Sequence, residues 1–326
     1  DYELLDSGDG LKLERFGAYV FARPEVQAMW SRALPRKEWD AAHAVFQPTA
    51  EESGGHWEFR KKVAEKWMME YLTPPSSPLR NSQISAEGRE MALRFRTMNT
   101  PGRNVSIEHG GTIPHQVKGL RFWAMTTPGR HLGVFPEVAA HWDWMAGLVK
   151  KATRPAIVLN LFGYTGLASL AVAAAGAKVT HVDASKKSVA WARENQELSG
   201  LGGKPIRWIV DDALKFVERE ARRGAKYDGI LLDPPKFGRG PKGEVWEVYK
   251  SLPDLFSACR AVLSNHPLFV VTTVYAVCAS AIHVGQALEE VMRGFKGEVE
   301  RGELVTRETS AGRLLSQAVF ARWQVK

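Results

Sequence analysis

Hydrophobic and polar positions alternate in two different ways along this chain, and the change falls near residue 130. Before it, short runs alternate with a period of two and carry aromatics: Leu11–Phe16, Trp57–Arg60, Leu93–Arg96 and Leu120–Trp123. That pattern predicts half-buried strands of a small, mostly antiparallel unit. The stretches Thr73–Pro78 and Asn99–Gly102 between them read as loops. No internal repeat is visible.

From about residue 136 the elements lengthen. Pro136 suits the first turn of a helix, with Ala139, Trp142, Met145, Ala146 and Val149 on one face. Five apolar strands are then predicted, at Ala156–Leu161, Val179–Val182, Ile206–Val210, Gly229–Leu232 and Leu268–Val274. Helices at Leu167–Ala175, Ser188–Leu198, Ala213–Arg222 and Leu255–Leu263 separate them. Strand–helix alternation with nearly continuous apolar strands predicts an α/β, doubly wound parallel sheet covered on both faces. The expected division is a β-rich domain over residues 1–130 and a catalytic domain over 131–326.

Composition narrows this picture. The chain has 326 residues, 44% hydrophobic and 25% charged, which excludes disorder. Its two cysteines, Cys259 and Cys278, form no CxxC pair, so a disulfide scaffold and a cysteine-rich zinc module are excluded. A reducing compartment, the cytoplasm, is the expectation. The nine histidines show no ligand spacing, and no metal is expected. No apolar run reaches the ~20 residues of a membrane span, and no secretory or transit segment is expected, although the chain opens on Asp1. The net charge is +8, of which residues 131–326 contribute +6. Such an excess suits an acidic partner such as RNA, or is simply a solvated basic surface.

The predicted strands end in chemistry, where ligands of such sheets sit. The first runs into Asn160–Gly166, a glycine turn that lets a backbone approach a ligand and opens the next helix toward it. Thr165 stands where a dinucleotide fingerprint needs glycine, which argues against nicotinamide or flavin. Asp183 ends the second strand and can accept two hydrogen bonds from ribose hydroxyls, or belong to the cap of the helix that starts near Ser185. Asp211 and Asp212 end the third strand, where one can cap the helix beginning at Ala213 while the other meets an adenine amino group. The fourth ends in Asp233, Pro234, Pro235, Lys236 and Phe237, the most specific signal present. Two prolines stiffen that exit loop and leave their carbonyls without a local partner. Asp233 can then grip the edge of a base and Phe237 offer a stacking face, with Lys236, Arg239 and Lys242 around the same mouth for phosphates.

With these motifs in order, residues from about 131 to 275 resemble the class I S-adenosylmethionine-dependent methyltransferases that modify bases of large-subunit ribosomal RNA. Within that group the chain is most similar to the cytosine-C5 branch. The resemblance rests on Leu159–Gly166, Val182–Asp183 with Ser185, Ala192–Asn195, Asp211–Asp212 and Asp233–Phe237, together with His131–Glu137 entering the cofactor pocket. It implies S-adenosyl-L-methionine as cofactor. Phe135, Asn160, Phe162, Tyr164, Thr165 and Gly166 would lie toward its methionine end, Asp183 with Ala184 and Ser185 at the ribose, and Asp212 with Ala213 at the adenine. Asp233, Pro234, Lys236 and Phe237 would be catalytic, and Arg239 and Lys242 would bind an RNA acceptor, ribosomal RNA being the class implied.

One departure bears on the chemistry. The C5 branch attacks cytosine with a cysteine just after the fifth strand. Here that position falls near Tyr275, and Cys278 lies about three residues late. Methylation of an amino or ring nitrogen needs no such nucleophile, so both target atoms stay open. A methyltransferase for a small metabolite or a protein side chain, and an RNA-binding protein that keeps the fold without catalysis, are the alternatives.

Overall fold

The computed structural model describes residues 2–49, 54–72, 95–96, 119–275 and 280–326. Both predicted loops, the first half of the Leu93–Arg96 run and Cys278 lie outside them.

Five strands, β1 (Tyr2–Gly8), β2 (Leu11–Phe16), β3 (Tyr19–Pro24), β4 (Ala44–Pro48) and β5 (Gly55–Phe59), form one sheet in chain order, with helix α1 (Arg36–Asp40) between β3 and β4. Its pairs are antiparallel except β3 with β4. Strands β6 (Trp67–Leu72), β7 (Phe95–Arg96) and β8 (Gly119–Ala124) form a second sheet in the order β7-β6-β8.

The larger sheet follows. After a 3-10 turn at Pro136–Val138 come α2 (Ala139–Lys151), β9 (Ile157–Leu161), α3 (Leu167–Ala174), β10 (Lys178–Asp183), α4 (Lys186–Leu198), β11 (Ile206–Val210), α5 (Ala213–Arg222) and β12 (Gly229–Leu232). A hairpin, β13 (Phe237–Arg239) and β14 (Val245–Glu247), precedes α6 (Val248–Val262), β15 (Phe269–Val274), α7 (Ala281–Val291), β16 (Gly297–Arg307) and β17 (Leu314–Val325). The order is β11-β10-β9-β12-β15-β17-β16. Strands β9, β10, β11, β12 and β15 are parallel, and β17 runs antiparallel between β15 and β16.

Successive residues of the central strands face opposite sides, as the pleat requires. Val158, Leu231 and Val271 enter an apolar cluster with Met145 and Leu170. Leu159, Ile230, Leu232 and Val270 enter a second with Phe216, Phe256 and Leu288. A sheet buried on both faces leaves only its strand ends open to a ligand. Strand order reverses between β9 and β12, so the crevice at their carboxyl ends is where a ligand fits.

The smaller sheets are built into this frame. Asn195 of α4 accepts from the Trp123 amide of β8 at 2.9 Å and donates to the Thr165 carbonyl at 3.0 Å. Asp6 of β1 is fully buried, accepts from the Leu34 amide and the Trp39 indole, and pairs with Arg313 beside β17.

Candidate active site

The loop after β9 turns sharply. Phe162 and Tyr164 adopt left-handed φ of 58° and 49°, and Gly166 follows at 85°. Side chains are strained there, and such strain persists where the surroundings fix it. Several bonds do so. The Gly163 amide donates to the Val182 carbonyl at 3.0 Å and the Tyr164 amide to Asp183 at 2.8 Å. Thr165 donates its hydroxyl to the Gly133 carbonyl at 2.7 Å, tying the loop to the His131–Glu137 segment.

Asp183 ends β10 with both carboxylate oxygens in use, one toward Tyr164 and the other toward the Ser185 amide at 2.8 Å. Each oxygen keeps a lone pair for a further donor. Burial raises this carboxyl above its ordinary value, and the two amides oppose that rise. Ala184 is half-buried beside it, and Ser185 caps α4 by accepting from Ser188. Asp212 caps α5 by accepting from the Lys215 amide at 3.0 Å, while Asp211 pairs with Arg219. The cap uses Oδ1 of Asp212, and Ala213 beneath it is buried.

Asn160 and Thr165 are both buried. The Asn160 amide donates to Ser169, whose hydroxyl meets His181 at 3.0 Å. These two side chains support the loop from behind. Phe162 packs its ring 4.8 Å from Trp246. Phe135 stands at the centre of an aromatic group, 5.7 Å from Tyr164, 5.3 Å from Tyr275 and 4.8 Å from His131.

Asp233 leaves β12 next to this group. Its Oδ1 is shielded from solvent and has no partner among the described residues. Burial, reinforced by the charge of Glu137, pushes its pKa up to about 8. Glu137 is itself raised by burial. The Tyr275 hydroxyl is also shielded and unpartnered, and burial together with the Asp233 charge drives its pKa far up. Sequence reading passed over Glu137, although it closes a segment quoted for the resemblance, and placed Tyr275 only as the site of a missing cysteine.

The lip beyond Asp233 is a pinned hairpin. Pro234 is buried, and the Pro235 carbonyl accepts from the Trp246 indole at 2.7 Å. A partner 11 residues on thus satisfies one of the two carbonyls expected to stay open. Lys236 lies 5.3 Å over the Phe237 ring, and its carbonyl accepts from Val248. Phe237 pairs with Glu247 and Arg239 with Val245, so these four share the outer face, while Gly238 and buried Trp246 share the inner one. Phe237 is 54% exposed, which leaves its ring available for stacking. Arg239 and Lys242 are exposed as well.

A carboxylate at the second strand end, a strained turn at the first and an acid–Pro–Pro lip at the fourth form a crevice of the kind that can hold a nucleoside cofactor on a doubly wound sheet. The orphaned Asp233 oxygen and the aromatic group beside it fit a cofactor that brings a positive charge to that point. The chain belongs to the S-adenosylmethionine-dependent methyltransferase family, whose model matches residues 71–302. It is similar to the S-adenosylmethionine-dependent methyltransferase of Agrobacterium tumefaciens, with 43% identity and a TM-score of 0.81 over 100% of this chain and 91% of that one. A Streptococcus mutans protein at 16% identity shares the fold, with a TM-score of 0.64 over 99% of this chain and 75% of that one. Among curated relatives, ribosomal RNA large subunit methyltransferase K/L of Shewanella sp. (strain ANA-3) is 42% identical over 99 residues. That match spans 30% of this chain and 14% of the relative's length.

Proposed function

We propose that this chain transfers a methyl group from S-adenosylmethionine to a nitrogen of an RNA base, with ribosomal RNA as the acceptor. The observation that carries the reading is Asp233 Oδ1, buried and unpartnered at the carboxyl end of a central strand beside a basic lip. The name of the Shewanella relative supports ribosomal RNA as the acceptor class.

S-adenosylmethionine supplies, when bound, a methyl group on a positively charged sulfonium. Asp183 holds the ribose with the lone pairs left after its two backbone bonds. Phe135 and Tyr164 wall the methionine end, and Asn160, Thr165 and Gly166 keep the loop in shape. Asp233 and the Pro234 carbonyl orient the acceptor nitrogen, so the reaction gains chiefly from alignment. A base must leave its stack to reach Asp233, and Phe237 offers the extruded ring a face. Lys236, Arg239 and Lys242 hold the flanking phosphates. We assign residues 1–130 to acceptor recognition and 131–326 to catalysis.

Nitrogen is favoured over C5 because Tyr275, which cannot add to a pyrimidine as a thiolate does, follows β15. Incubation with labelled S-adenosylmethionine and bulk ribosomal RNA should give methylated RNA. RNA containing 5-fluorocytosine should form no denaturant-resistant adduct. An adduct that disappears in Cys278→Ala would establish C5 chemistry instead.

A further inference from the structure

Two shielded polar atoms lie at adjacent strand ends. β12 and β15 pair in parallel with Leu232 opposite Thr272, so Asp233 leaves the sheet level with Thr273 and Tyr275 leaves the neighbouring strand two residues further on, near enough to feel the Asp233 charge. Neither Asp233 Oδ1 nor Tyr275 Oη has a hydrogen-bond partner among the described residues. Leaving buried polar groups unpaired is costly, and native folds rarely retain two together without use for them. The Tyr275 ring is fixed against Phe135 at 5.3 Å, which aims the hydroxyl without engaging it.

We propose that Tyr275 is a recognition residue for the acceptor base. Its hydroxyl donates to a carbonyl oxygen or unprotonated ring nitrogen next to the nitrogen that Asp233 orients. The assignment rests on the RNA reading above and deepens it, since it names the feature the base must carry: a polar edge with a hydrogen-bond acceptor adjacent to the methylated atom. A phenol held neutral by burial donates well and does not serve as a base. Asp233 and Tyr275 together therefore grip two neighbouring atoms of one planar ring, which fixes its rotation as well as its position. A single contact could not.

Tyr275→Phe removes the hydroxyl and keeps the ring. The KM for ribosomal RNA should rise roughly 10-fold, the scale of one neutral hydrogen bond. The kcat should stay within about twofold, because the bond is present in ground and transition states alike. Cofactor affinity by calorimetry should be unchanged. The melting temperature should be equal or higher, since an orphaned buried hydroxyl has been removed. A hydroxyl that served the fold would lower the melting temperature, and one that served the cofactor would lower its affinity. Either result overturns the assignment, as does an unchanged KM. If the wild-type enzyme methylates no RNA, the RNA reading falls and takes the assignment with it. If the wild type is active and Tyr275→Phe matches it, the assignment alone falls.

Discussion

At the scale of single residues, Asp183 and Asp233 occupy similar strand ends and have opposite surroundings. Asp183 receives two backbone amides, which favour its charged form, whereas Asp233 Oδ1 receives nothing among the described residues. Asp183→Ala should weaken S-adenosylmethionine binding by about 1.5–3 kcal/mol, the range for hydrogen bonds to a charged group. Titration calorimetry reads this directly, and an unchanged affinity in a folded variant would reduce Asp183 to a brace for the Tyr164 turn. Asp233 makes a pH prediction. Folding raises its pKa from 3.8 to about 8. Its contribution to stability is therefore whole below pH 4 and is lost as the pH climbs through 8. Asp233→Asn should flatten that part of the stability curve, measured as melting temperature from pH 4 to 8.5, while abolishing turnover. The two aspartates were legible because acid residues at strand ends follow from topology. Tyr275 was not, because a tyrosine after an apolar strand looks like core. Its role emerges only when its hydroxyl is found shielded beside Asp233.

At the scale of elements, the parallel strands and their helices were readable to within a residue or two at most boundaries. Apolar runs buried on both faces leave little choice. Ends governed by proline and glycine were harder. Helix α6 starts at Val248, seven residues before the expected Leu255, and carries Pro253 inside it. The hairpin β13–β14 has strands of three residues among glycines, and without knowledge of Trp246's partners it reads as a plain turn. Trp246 makes it an element by holding the Pro235 carbonyl and packing on Phe162. A pinned hairpin presents its outer charges at fixed positions. Neutralising Lys236, Arg239 and Lys242 together should weaken RNA binding and reduce the slope of log affinity against log salt by about 2, the counterion release expected for three contacts to a single strand. Cofactor affinity should stay the same. Filter binding across a salt series checks it, and an unchanged slope would make the lip a solvated turn.

At the scale of the molecule, the long antiparallel pair β16–β17 was missed, because strand–helix alternation specifies only the parallel part of a sheet. The polar surface of β16 hides it further, since it shows alternate charged positions to solvent. That pair also joins the two parts of the chain, through Arg313 with Asp6 and Glu308 with Ser7, a junction no local pattern encodes. The N-terminal strands share one apolar cluster with the catalytic sheet, Phe21 and Trp67 lying in the same core as Val158 and Phe269. The two parts of the chain thus share a core, and no helix of the described residues is long and apolar enough to cross a membrane. The proposed reaction is methylation of a ribosomal RNA base at nitrogen. Mass-spectrometric comparison of ribosomal RNA nucleosides from cells with and without the gene tests it most directly. One N-methylated nucleoside should fall when the gene is removed and return with the wild-type gene but not with Asp233→Asn. An unchanged nucleoside profile, or the loss of 5-methylcytidine instead, would contradict the account.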